Sequence, residues 1–168
     1  MLRALRLAHI LGLVMSLGSI ATFIVVSATI EGGGVESIAL GRRIISTGTN
    51  TLTLPGLCLL AFGGIWMGQL RYGFKHRFFQ LKVTLLALIC ANGAILVAPS
   101  VHAATEIATR SLAHGKLLAE YGTAYARESI AGSVNVVLIV AAAVAGVWKA
   151  GAADAQRRAG TRSSVAHL

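Results

Sequence analysis

A histidine, a methionine and a lysine stand near the same end of three apolar segments of the chain. His9 lies about one turn inside the first segment, Met67 about one turn before the end of the second, and Lys82 about one turn inside the third. Trp66 lies beside Met67. If successive segments alternate in direction, these four side chains share one layer. Histidine and methionine are both axial ligands of haem iron, and a lysine can neutralise a propionate or, when deprotonated, ligate the iron.

The same side chains also have ordinary structural roles. Lys82 can extend its ammonium group to the lipid headgroups, His9 can hydrogen-bond across helices, and Met67 and Trp66 can serve as packing and interface residues. An ionisable residue inside a membrane segment is costly, however, and therefore indicates function by default. We keep haem b as the cofactor hypothesis, with His9 and Met67 as candidate metal ligands and Lys82 and Trp66 as further cofactor contacts.

Four apolar stretches must position this layer. They run through residues 7–30, 51–70, 78–99 and 129–148, and each reaches the roughly 20 residues that cross a bilayer as a helix. Only 12% of the 168 residues are charged, about half the share in soluble domains. The pattern predicts an all-α integral membrane four-helix bundle with up-down-up-down connectivity.

The distribution of charge predicts the orientation of this bundle. The net charge of +9 is concentrated before the first span, between spans two and three, and after span four, whereas the other two connections are nearly balanced. Positive charge favours the cytoplasmic side, so we expect both termini to be cytoplasmic (N-in/C-in), in a bacterial inner (plasma) membrane. The basic residues then reflect topology in a lipid bilayer, and nucleic-acid binding is not expected.

The remaining segments divide into an outer part and a tail. We expect a four-span domain over residues 1–150, with an amphipathic outer helix at about 101–120, and a flexible basic cytoplasmic tail over 151–168. The first outer loop, 31–50, is expected to lie along the membrane surface. The outer helix carries four polar residues at four-residue steps: His102, Glu106, Arg110 and His114. Its two histidines stand about 18 Å apart along a straight helix, so a solvated face is expected there in preference to a metal site.

One face of the first span is more polar than the rest of it. At 100° per residue, one stripe collects His9, Gly12, Ser16, Ser19 and Ser27. Imidazole and hydroxyl groups are costly against lipid. The stripe therefore predicts that this face, with His9 near its cytoplasmic end, points into the bundle.

Three segments of the chain also resemble a known superfamily of small membrane proteins. They are the first-span "LRLAHILGLV", the second-span "PGLCLLAFGGIW" and the third-span "FFQLKVTLLAL". The superfamily includes the copper-resistance D domain proteins and the J-type membrane protoporphyrinogen oxidase, and the similarity covers residues 4–98. In the oxidase a first-span histidine and a third-span lysine are functional and haem b is bound. The resemblance implies these roles for His9 and Lys82.

The resemblance does not extend to the residues that precede the lysine. The oxidase has Trp and Arg close before its lysine, whereas this chain has Phe79, Gln80 and Leu81. Its enzymatic activity is therefore not carried over to this chain.

Three functions remain open at this point. The first is a haem b-binding membrane protein in electron transfer or quinone-linked oxidation, with a quinone or another redox protein as partner. The second is a cofactor-free accessory or assembly subunit of a larger membrane complex or homo-oligomer. The third is a small-solute or metal transporter, which is disfavoured because the spans lack acidic residues and clear inverted repeats.

Overall fold

A computed structural model of the chain describes residues 2–72 and 77–165, with side chains for 2–70 and 77–146. All elements in the described part of the chain are helical. The six α-helices are α1 (Leu2–Ile30), α2 (Val35–Gly48), α3 (Leu54–Tyr72), α4 (Arg77–Asn92), α5 (Ala98–Ser111) and α6 (Glu120–Val165). The centre of the predicted basic turn, residues 73–76, and the last three residues of the predicted tail lie outside the described residues.

Several of these helices join end to end. A π-helical turn, Thr49–Thr53, connects α2 to α3, and a second, Gly93–Val97, connects α4 to α5. Four helices of the described chain are consequently long and apolar enough to cross a membrane: Leu2–Ile30, Val35–Leu70, Arg77–His114 and Glu120–Gly146. Three of the predicted apolar stretches lie within these helices, and the fourth, 129–148, overlaps the last of them as far as Gly146.

The two prolines of the chain account for the two π turns. Pro55 and Pro99 each stand two residues after a π turn. A proline inside a helix has no N–H to donate, and its ring crowds the carbonyl group four residues earlier. That carbonyl belongs to Thr51 in the first turn and Ile95 in the second. Widening the helix locally to the π form relieves the crowding and lets each helix continue.

The composite helices extend well past the apolar segments. At 1.5 Å per residue they are about 54 and 57 Å long, against roughly 30 Å for the apolar core of a bilayer. Their extra length places α2 and α5 beside the beginning of α6. We call this region the cap and define it as α2, α5 and residues 120–131 of α6.

The cap differs from the sequence-based expectation in two places. Residues 35–48 of the predicted surface loop form α2, because Ile38, Ala39 and Ile45 give it a buried apolar face. The predicted outer helix at 101–120 ends as α5 at Ser111, followed by a single 3₁₀ turn. Gly115 then adopts a left-handed conformation with φ 64°, which terminates helices readily because glycine carries no Cβ.

Much of the buried core lies in the cap. Buried aliphatic side chains of α2 face buried small side chains of α5 across the cap interface: Ile38, Ala39 and Ile45 against Val101, Ala104 and Ala108. The half-buried Leu117 and Tyr121 pack against part of this cluster. The alanines of α5 allow the two helix backbones to approach closely. The cap therefore holds most of the buried aliphatic side chains of the described chain.

A buried ion pair crosses the cap from α2 to α6. Arg42, whose side chain is only 1% exposed, donates from Nη1 to Glu128 Oε1 at 3.0 Å and from Nη2 to Glu128 Oε2 at 2.5 Å. The Arg42 guanidinium also lies 5.9 Å and 5.3 Å from the ring centroids of Tyr121 and Tyr125. The Thr105 hydroxyl of α5 donates to the Arg42 carbonyl at 3.1 Å. Arg42 thus contacts both other helices of the cap.

Below the cap the helices pack as two pairs. The α1 helix packs along α3, and α4 packs along α6. In the second pair, the buried Asn92 side chain donates from Nδ2 to the Ala131 carbonyl at 2.9 Å. The hydrogen bond joins α4 to α6 at the lower edge of the cap.

The last helix is longer than the sequence analysis predicts. The α6 helix runs to Val165, through residues 151–165 of the predicted flexible tail. Alanine and arginine are both good helix formers, and four of these fifteen positions are Ala and three are Arg.

We predict that Arg42→Gln strongly destabilises the protein. The substitution leaves the Glu128 carboxylate, which is only 14% exposed, without its partner, and breaking one side of a buried ion pair costs up to about 3–5 kcal/mol. The matched control is Arg43→Gln, because Arg43 is exposed on the same helix and should change the stability by less than about 0.5 kcal/mol. Thermal unfolding in detergent measures both variants. Equal melting temperatures for the two would contradict the role assigned to the pair.

Candidate functional site

The interface between α1 and α3 is built from very small residues. Gly12 is buried, and a Cβ added there would lie 2.5 Å from the Leu60 amide nitrogen and 2.6 Å from the Gly56 carbonyl oxygen. A Cβ added at Gly56 would in turn meet Ser16 Oγ at 2.6 Å. Because these contacts involve backbone atoms, the separation of the two helices is set by the absence of side chains at these glycines.

Hydroxyl groups continue this interface toward the cap. Ser19 Oγ and Thr53 Oγ1 are 2.7 Å apart, and Ser16 Oγ donates to the Thr53 carbonyl at 3.5 Å. Both serines are buried. The prediction that the polar stripe of α1 faces another helix is confirmed for His9, Gly12, Ser16 and Ser19. Ser27, the fifth member, borders a cavity beneath the cap.

His9 occupies the far end of the same interface. Its Nδ1 lies 3.0 Å from the Leu60 carbonyl oxygen, and the residue is half-buried. A carbonyl oxygen only accepts, so Nδ1 carries the proton and a neutral ring keeps the free electron pair on Nε2. Gly63 and Gly64 face the residue: a Cβ added at Gly64 would lie 3.1 Å from His9 Cε1. The imidazole fits because α3 has no side chain at these positions.

Lys82 lies on the other helix pair. Its Nζ is within 2.9 Å of where a Cβ would stand on Gly146 of α6, and 5.5 Å from the Phe78 ring centroid. Phe79 contacts Gly68. Since α3 and α4 are antiparallel, this contact places Lys82 about one turn from Gly68, near the level of Gly64. His9 and Lys82 therefore share a depth, while the contacts of His9 are with α3 and those of Lys82 with α6.

The other two candidate residues lie on α3. Met67 is half-buried and stands one turn beyond Gly63 and Gly64. Trp66 is 43% exposed, and its ring centroid lies 5.7 Å from that of Phe62. An exposed indole on an apolar helix suits a lipid contact as well as a cofactor contact.

The donor set near His9 suits a haem better than a bare metal ion. The described residues contain no cluster of three or more His, Cys, Asp and Glu side chains that could hold an ion. An axial haem site needs a single imidazole whose Nε2 is free, with the ring fixed through Nδ1–H to a carbonyl group. His9 meets both conditions.

Arg42 and Glu128 are important residues that the sequence analysis treats only as balancing loop charges. They are 86 positions apart, so no local spacing links them. One signal was present: Arg42 stands between Ile38 and Ile45 on the same helical face. A charged residue within an apolar stripe indicates a buried partner.

Comparison with known proteins finds no family model that matches the chain, no curated protein similar to it in sequence and no solved structure similar to it in fold.

We predict that Gly12→Ala weakens the packing of α1 against α3. The added methyl group would overlap backbone atoms of α3, and overpacking of this kind costs about 1–3 kcal/mol. Gly18→Ala is the matched control, because a Cβ at Gly18 on the same helix meets nothing within 4 Å in the described structure. Thermal unfolding in detergent should show a lower melting temperature for Gly12→Ala alone. A Gly18→Ala variant that loses as much stability would contradict the interface.

Proposed function

We propose that the protein is an integral membrane four-helix bundle, with up-down-up-down connectivity and both termini cytoplasmic. The four long apolar helices support insertion. The basic residues at the start of α1, the end of α3, the start of α4 and late in α6 all belong to the end opposite the cap, as the positive-inside rule requires. The cap would then project from the outer face, where its charged surface is solvated.

We propose further that the protein binds haem b and takes part in electron transfer or quinone-linked oxidation. The observation that carries this proposal is the hydrogen bond from His9 Nδ1 to the Leu60 carbonyl oxygen. It fixes the imidazole in the tautomer that leaves Nε2 free to ligate iron, and it raises the basicity of that nitrogen. A haem held in this way supplies one-electron redox chemistry.

Each residue of the site has a defined part in this proposal. His9 provides the axial nitrogen, and Leu60 holds its ring. Lys82 stands near the depth of His9 and provides either the opposite ligand or a positive charge for a propionate. Met67 is the other candidate for the opposite ligand. Trp66 covers the side of the haem that faces the lipid. The resemblance of residues 4–98 to the copper-resistance D and J-type oxidase superfamily supports the same roles for His9 and Lys82.

A cofactor-free subunit of a larger membrane complex is the second candidate function. It is favoured by two open glycines: a Cβ on Gly18 of α1 or Gly132 of α6 would meet nothing within 4 Å in the described structure. Exposed small residues on membrane helices allow another helix to approach closely. Native mass spectrometry after gentle extraction distinguishes the two functions, because a colourless protein with a stoichiometric partner subunit supports the second.

We predict that His9→Ala abolishes the haem spectrum of the purified protein. Protein produced with ample haem should show a Soret band and, after dithionite reduction, a sharp α band, and both should be lost from the variant. His102→Ala is the matched control, since His102 is exposed on α5 and lies outside the proposed site. A variant His9→Ala that retains the wild-type spectrum would remove His9 from the site.

Two further variants identify the opposite ligand. If Met67 ligates iron, Met67→Leu converts the ferric spectrum from low-spin to high-spin, while Lys82→Leu keeps the low-spin form. The reverse pattern assigns the position to Lys82. Retention of the low-spin spectrum by both variants would exclude both residues as the ligand.

A further inference from the structure

A second candidate site lies beneath the cap, far from His9. A cavity of about 230 Å³ opens where the last turn of α1 meets α2 and the beginning of α6. Its walls combine aliphatic side chains, two aromatic rings and a few polar groups. They include Ser27, Ile30, Ile38, Arg42, Tyr121 and Tyr125.

Arg42, one of the lining residues, carries a hydrogen-bond donor that no described residue uses. Both of its terminal nitrogens bond Glu128, whereas its Nε is buried and has no hydrogen-bond partner among the described residues. A buried donor left without a partner costs about 1–3 kcal/mol, and more when the group is charged. An acceptor atom in the cavity would recover that free energy.

The charges around the cavity favour a neutral ligand. Glu128 already compensates the positive charge of Arg42, and Glu31 adds a negative charge to the cavity wall. An anionic ligand would be repelled by the uncompensated charge of Glu31. The favoured ligand is an uncharged molecule that accepts hydrogen bonds.

The aromatic walls favour a flat ligand. The rings of Tyr121 and Tyr125 are nearly parallel, with an interplanar angle of 6° and centroids 6.0 Å apart, and both belong to the cavity lining. A planar ring packs well against such faces. Ser27 adds a hydroxyl group that makes no hydrogen bond to any described residue, unlike Thr22 and Thr29 on the same helix.

The position of the cavity favours a lipid-soluble ligand. Ser27 and Ile30 belong to the last turn of the first apolar helix, so the cavity borders the membrane segment as well as the cap. A molecule dissolved in the bilayer reaches it without crossing water.

We propose that this cavity binds the head group of a neutral quinone. A quinone carbonyl oxygen accepts the Arg42 Nε–H, and the ring packs against the two tyrosines. This site is separate from the His9 site: Ser27 and His9 are 18 residues apart on α1, about 27 Å at 1.5 Å per residue. The proposal is independent of haem binding, and it assigns no redox step to the cavity.

Isothermal titration calorimetry in nanodiscs tests the proposal with menadione as the neutral probe. We expect saturable binding of menadione to the wild-type protein. Binding to Ser27→Leu should be at least tenfold weaker, because the leucine side chain fills the cavity. The affinity of the control variant Thr29→Leu should stay within twofold of the wild type. Thr29 is exposed two residues further along the same helix. Absence of saturable binding, or equal affinity in Ser27→Leu and wild type, would overturn the proposal.

Two more titrations test the chemistry of recognition. Benzoate, an anionic flat ring, should bind at least tenfold more weakly than menadione, and tighter binding of benzoate would overturn the preference for a neutral ligand.

Arg42→Lys retains a positive charge opposite Glu128 but lacks the planar Nε donor. Where circular dichroism shows this variant to be folded, menadione affinity should fall at least tenfold, and wild-type affinity would overturn the role of Arg42. The Ser27→Leu comparison decides the proposal whether or not Arg42→Lys folds.

Discussion

The buried ion pair between Arg42 and Glu128 is the constraint on which the arrangement of the helices depends. Removing two charges from water is costly. The cost is offset here by the attraction of the two charges, by two hydrogen bonds in one geometry and by the rings of Tyr121 and Tyr125. That geometry fixes α2 against α6, and the Thr105 hydroxyl adds α5. Because α2 continues into α3 and α5 continues from α4, the cap determines where the membrane segments of both composite helices begin.

Below the cap, α1 and α3 contact each other through small residues and not through an ion pair. The α1 helix approaches α3 closely enough for Gly12 to contact its backbone, and this approach brings His9 Nδ1 within reach of the Leu60 carbonyl oxygen. The orientation of the imidazole is thus a consequence of glycine packing. Polar groups lie between the helices near His9, at Ser16, Ser19 and Thr53, and near Arg42.

The sequence was sufficient to predict local features and insufficient for those that depend on distant contacts. The four apolar stretches and the face of α1 that carries His9 followed from composition and helical period, and the structure agrees with both. The cap did not follow, because Arg42 and Glu128 are far apart in the chain. The sequence predicted a loop over 31–50 before the second span, whereas α2 continues through a π turn into α3. Whether His9 and Lys82 serve one cofactor depends on how the two helix pairs meet, which no local pattern encodes.

Haem content measures the central claim most directly. The wild-type protein should be purified from haem-replete cells and its haem quantified by the pyridine haemochrome method against the protein concentration. The account predicts a b-type haemochrome at close to one haem per chain. Protein that contains well under a tenth of a haem per chain, and takes up none when haem is added, would contradict the proposed function and leave the His9–Leu60 hydrogen bond as a packing interaction.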